Sequence, residues 1–218
     1  MSWPWDSKAA VDERFYAQEH AEFTVARADT WRGPGFNVTA LAGGPDVMHA
    51  QTADLGNGNL RSLVLLDPKS HGRIAAVKES RLDTTGQKQW EAFRGGDTGE
   101  TDRLFVAVDR TCFFQVGNTV HVFLHGSSGT GDRVPDFVVK GSYYLGTMTV
   151  SRGSGGGDFV AQIRKESSLG ASQYGDNSYT VWIHREVDQA FVLALAIILD
   201  QMLSPAYDPR SCGHECKY

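Results

Sequence analysis

No apolar run in this chain is longer than ten residues, and the one that reaches ten, Ala190 to Leu199, stops at Asp200. A membrane-spanning helix needs roughly 20 mostly apolar residues to cross about 30 Å of hydrocarbon, so no transmembrane segment is expected. Cysteine is scarce too: Cys112, Cys212 and Cys216 cannot make a disulfide framework, which points to a reducing, intracellular setting. The opening residues MSWPWDSKAA show no basic stretch followed by an apolar one, and position 2 is not glycine, so neither a signal peptide nor myristoylation is indicated. An excess of positive charge is also missing. With a formal net charge of -5 the chain is not built to coat nucleic acid, whose affinity comes from Lys and Arg neutralising phosphates, and no nucleic-acid partner is expected.

What is present between Glu22 and Arg185 is a series of short runs rich in β-branched, aromatic and aliphatic residues, broken by Gly, Pro, Asn, Asp and Ser. That spacing predicts an antiparallel all-β domain. The runs are EFTVARA, FNVTA, VMHAQ, RSLVLLD, RIAAVKE, KQWEAFR, RLFVAVDR, CFFQV, TVHVFLH, DFVVKG, TMTVSR, DFVAQIRK and SYTVWIHR. Several alternate with period two. Val120, Val122 and Leu124 share one face of their run, as do Leu104, Val106 and Val108, and Tyr179, Val181 and Ile183. Glycine-rich connections such as LGNGN, GSSGTGD and RGSGGGD read as hairpin loops.

The ten-residue apolar run belongs to the one strong helix. Asp188 can cap its start, its Ala and Leu content favours helix, and Pro205 stops it. Apolar on every side, such a helix must be surrounded by protein. A closed sheet of about eight strands fills itself with side chains, whereas a larger one needs a plug, and a helix about 10 Å across is a suitable one. The expected fold is therefore all-β with one buried helix: an antiparallel closed barrel of about twelve strands around the C-terminal hydrophobic helix. Residues 1–20 are read as an N-terminal extension, 21–204 as the single barrel domain, and 205–218 as a C-terminal tail.

Four stretches, WEAFRGG from Trp90, DFVVKGS from Asp136, FVAQIRKE from Phe159 and VDQAFVLALAIILDQM from Val187, resemble the plant LURP-one-related family. Its fold is similar to the tubby C-terminal domain and to phospholipid scramblases. The likeness runs in order from Arg61 to Met202. Before Arg61 the family usually shows a short GN turn, where this chain has ALAGGPDVMHAQTADLGNGN, and Tyr143 stands near a position where the family often carries Trp. The resemblance implies a link to basal defence, through the founding branch. Tubby relatives bind a phosphoinositide head group through basic side chains on the barrel, and scramblases are membrane-bound and calcium-responsive.

No complete catalytic set is found. GASQY places Ser172 at the offset of a nucleophile elbow but has Tyr174 where glycine is required, and the glycines of RGSGGGD precede a strand rather than the helix a phosphate loop needs. His121 and His125 lie about 13 Å apart along one strand, too far for one metal ion. Cys212, His214 and Cys216 supply three zinc-type ligands at most, in a tail. The acidic loop GGDTGETD lacks the Asp spacing of an EF-hand. No cofactor and no metal are expected, and the chain is not expected to be an enzyme.

The remaining candidates are basic. Lys140, Arg152, Arg164 and Lys165 fall in three consecutive expected strands or their ends, so antiparallel pairing can bring some of them together on the barrel's outer face. Such cations suit a phosphorylated inositol ring. The expected function is a non-enzymatic tubby-like binding or scaffold protein in plant defence or stress, whose partner is phosphoinositide, acidic membrane lipid or another protein. Scramblase-like lipid handling is the alternative, and a hydrolase built on Ser172 a more distant one. The expected location is intracellular and cytoplasmic, extending to the plasma-membrane periphery or the nucleus.

Overall fold

The computed structural model describes residues 11, 13–30, 32–41, 43–56, 61–80, 87–96, 98–111, 117–125, 134–143, 145–153, 157–165 and 178–203. Twelve of the thirteen expected runs are strands: β1 Ala21–Thr30, β2 Gly33–Ala40, β3 Asp46–Thr52, β4 Ser62–Leu66, β5 Arg73–Ser80, β6 Gln89–Arg94, β7 Arg103–Asp109, β8 Asn118–Leu124, β9 Phe137–Ser142, β10 Thr147–Arg152, β11 Phe159–Lys165 and β12 Ser178–Ile183. The thirteenth, at 112–116, lies outside the described residues, as do Ser172, Cys112, Cys212, His214, Cys216, Pro205 and the 126–132 loop.

Each strand pairs antiparallel with its chain neighbour, and β1 pairs with β12 from Ala21 opposite Ile183 to Ala26 opposite Ser178, which closes the barrel. Closure leaves no strand edge to attract another chain. Before Arg61, where the chain departs from the family pattern, β2 places Phe36 opposite Arg27 and Ala40 opposite Phe23, and β3 returns with Met48 opposite Val38.

Alternation decides what faces inward. Val120, Val122 and Leu124 of β8 point into the barrel, as do Tyr179, Val181 and Ile183 of β12. Strand β7 differs. Its inward residues are Phe105 and Ala107, in register with Leu124 and Val122, so Val106 and Val108 face outward, while a register shift against β6 brings Leu104 into the core as well. Both faces of this run are apolar, and periodicity alone could not choose between them.

The lumen is filled by the single α-helix among the described residues, α1 Gln189–Leu203, in which every residue from Ala190 to Met202 is buried. Asp188 caps it as expected: its carboxylate accepts from the Phe191 amide at 3.1 Å and also from the Val11 amide at 2.5 Å. Phe191 meets Phe105 edge-on at 5.1 Å and Phe137 at 4.9 Å. No helix among the described residues is long and apolar enough to cross a membrane.

Candidate functional site

The two ends of the barrel differ in chemistry, and the difference comes from the helix. The last carbonyls of a helix have no partner within it, and its C-terminus carries partial negative charge. In this barrel the strand ends around the C-terminus of α1 supply cations. Arg61 donates to the Gln201 carbonyl at 2.7 Å and Lys88 to that of Met202 at 3.2 Å. Arg61 also pairs with Glu79 at 3.1 Å and lies over the Trp90 ring at 5.3 Å.

Asp200 is the buried centre of this end, with 1% of its surface exposed. Asp200 ends the apolar run in the sequence, yet its side chain and that of Gln201 are both inside. Arg27 grips the Asp200 carboxylate with Nε at 3.0 Å and Nη2 at 2.8 Å. Tyr143 donates to it at 3.1 Å, Tyr179 donates to it as well, and the two phenol oxygens are 2.9 Å apart. Sequence held one usable signal: Phe23, Val25 and Arg27 alternate, so Arg27 had to point inward, and a buried guanidinium requires a buried partner.

The electrostatics follow from that pairing. Burial alone pushes the Arg27 pKa down, but the hydrogen bond and charge of Asp200 outweigh it and hold the group above its ordinary value. Burial, then the Asp200 charge and hydrogen bond, push the Tyr179 phenol well above its ordinary value of 10.0. A raised pKa contributes stability that is present in full below the unfolded value and is lost as pH climbs beyond it. Above about pH 10 the unfolded chain releases a proton that the native phenol keeps, so stability should fall by about 1.4 kcal/mol per pH unit from this group. Alkaline unfolding curves of the native protein and of Tyr179→Phe should differ by that one-proton slope.

The four basic residues read from sequence do not form one cluster. Lys140 and Arg164 are exposed on the outer wall, opposite Thr149 and Thr147 of β10 respectively. Two strand spacings and two residues place their Cα atoms about 12 Å apart. Lys165, one residue on, turns to the inner rim, with its amine over the Tyr143 ring at 5.5 Å and a shared cavity with Tyr179 and Asp200. Arg152 stands at the other end of β10, about 17 Å from Thr147, in a cavity it shares with Asp136 and Asp158. Three of the four therefore gather at the helix C-terminal end. The wall there is positive: burial, then Arg110 and Lys140, lower the pKa of His121. Among the described residues no three His, Cys, Asp or Glu side chains are placed to hold a metal, and Glu100 of the acidic loop pairs with Arg103 at 3.2 Å.

Comparison with known proteins gives one consistent result. A relative from Arabidopsis thaliana, Protein LURP-one-related 15, is 31% identical over 139 residues, which cover 64% of this chain and 61% of that protein. Protein LURP1 of the same plant is 28% identical over 115 residues, covering 53% of this chain and 54% of that protein. The chain thus spans somewhat over half the length of these relatives. The X-ray structure of a protein from Arabidopsis thaliana superposes with a TM-score of 0.64 at 25% identity, covering 88% of this chain and 97% of the other. The LURP-one-related family model matches residues 21–200, from the first residue of β1 to the buried Asp200, and the chain belongs to the LURP-one-related family.

Proposed function

We propose that this protein is a non-enzymatic binding module that docks reversibly on phosphoinositide or other acidic lipid through the helix C-terminal end of its barrel. The observation that carries this reading is the gathering of Lys140, Arg164 and Lys165 at one end, with no ion pair to a carboxylate among the described residues. Arg152 is left out, because it stands at the other end of β10, about 17 Å from Thr147. The plant defence or stress setting rests on family likeness, and the intracellular location, cytoplasmic, at the plasma-membrane periphery or nuclear, on the scarcity of cysteine.

Each Lys or Arg near an acidic leaflet contributes about 1 kcal/mol, so the three together supply about 100-fold in partitioning. Changing Lys140, Arg164 and Lys165 to Ala should lower binding to phosphoinositide-containing liposomes by about that factor, read by sedimentation. Raising salt from low to physiological should weaken native binding as the Debye length shrinks. Failure of the native protein to sediment with such liposomes would defeat the lipid reading.

A second reading, a scaffold for protein partners, is favoured by the aromatic stack on the outer wall. Trp182 lies between His20 at 4.9 Å and Phe159 at 5.3 Å, and Phe159 is 40% exposed. Scramblase-like handling gains no such support. It requires α1 to leave the barrel, and the helix is only about 22 Å long with Asp188 and Asp200 tying both ends.

A further inference from the structure

We infer that Leu145, just before β10, is a membrane-inserting tip that enters the acyl boundary while Arg164, Lys165 and Lys140 hold acidic head groups around it. The inference rests on the lipid-docking reading and specifies how the barrel sits on the surface. Leu145 is 82% exposed, the most of any large apolar side chain among the described residues. Leu41 at 58% and Val134 at 64% also face solvent, but at the opposite end of the barrel. Leu41 sits in the turn that ends at Asp46, and Val134 lines the cavity of Arg152, Asp136 and Asp158, so neither is beside Lys140, Arg164 and Lys165.

The tip is held in place before any membrane arrives. The Leu145 amide donates to the Ser142 hydroxyl at 3.1 Å, and the Gly146 amide to the Tyr143 carbonyl at 3.3 Å. Gly146 has a φ of +76°, which glycine adopts without strain. The Lys165 amide then donates to the Gly146 carbonyl at 2.7 Å, which fixes the cation beside the tip. Below it, Tyr143 is bonded to Asp200 of α1, so the turn is braced against the core. An apolar group presented on a backbone already fixed is buried at a lower ordering cost.

The surrounding charges are spaced for head groups. Arg164 stands opposite Thr147, the first residue after the turn, and Lys140 is two residues before Ser142 on the same outer wall. One apolar insertion or one cationic patch alone anchors weakly, while the two together reinforce each other. Their contributions separate experimentally because only the electrostatic part responds to salt.

The test uses the full chain with phosphatidylcholine vesicles, with and without phosphatidylserine, at low and physiological salt. Leu145→Ser should reduce binding to the phosphatidylserine vesicles by about tenfold, leave the salt dependence and melting temperature unchanged, and be rescued by Leu145→Phe. Leu41→Ser, at the opposite end, should bind as the native protein does. Unchanged binding by Leu145→Ser, with binding still lost in the Lys140, Arg164 and Lys165 triple variant, would overturn insertion and leave docking intact. An equal loss in Leu41→Ser would overturn the orientation. No binding by the native protein to these vesicles or to phosphoinositide-containing liposomes would overturn docking and insertion together; binding to the phosphoinositide liposomes that Leu145→Ser leaves unchanged would overturn insertion alone.

Discussion

Ala194→Asp should yield no folded protein. Ala194 is completely buried at the middle of α1, inside a ring of strands, where no described side chain offers a positive partner. An isolated carboxyl group there costs several kcal/mol even when it is protonated, and its volume must displace packed apolar neighbours. A natural domain has only about 5–15 kcal/mol to lose. The measurement is soluble yield with the circular dichroism melt, against Ala194→Ser as a milder control. A soluble, cooperatively melting Ala194→Asp protein would show that the helix does not fill the barrel in solution.

Removing the Asp200 carboxylate should be the next largest effect. Asp200→Ala takes from the half-buried Arg27 guanidinium its carboxylate and two hydrogen bonds, leaving the long bond to the Tyr143 hydroxyl at 3.4 Å, and breaking a buried pair in this way costs about 3–5 kcal/mol. For a chain of this length that lowers the melting temperature by roughly 10 °C. Tyr143 and Tyr179 keep each other as partners, so the loss is concentrated on the arginine. Arg27→Met combined with Asp200→Leu removes both charges and should recover most of the stability, because the desolvation cost vanishes with the pair. If the double variant were no more stable than Asp200→Ala, the pair would be adding stability beyond its own burial cost. Thermal melts of the three proteins decide it.

The two predictions probe opposite halves of what could be read from sequence. The helix position was legible because ten apolar residues, too short for a bilayer and too apolar for a surface, leave enclosure as the remaining solution. Asp188 was legible as a cap because capping is local, involving an amide three residues away. Asp200 was not legible as the core of a polar network. Its partners Arg27, Tyr143 and Tyr179 lie 173, 57 and 21 residues away, and only barrel closure between β1 and β12 brings them to one place.

The basic residues show the same division. Sequence could name Lys140, Arg152, Arg164 and Lys165 and place them on neighbouring strands, but not say which ends those residues occupied. Adjacent positions 164 and 165 point to opposite sides of the wall, so one is a surface cation and the other a rim residue over Tyr143. Arg152 went to the far end because β10 runs five residues from Thr147 before reaching it. The all-β class, a closed barrel of about twelve strands, the buried helix and its cap were determined by sequence alone, because periodicity and capping act over a few residues. Which cations meet, which carboxylate is buried and which turn projects were decided only by the tertiary structure, because register across a closed sheet is a property of all twelve strands together.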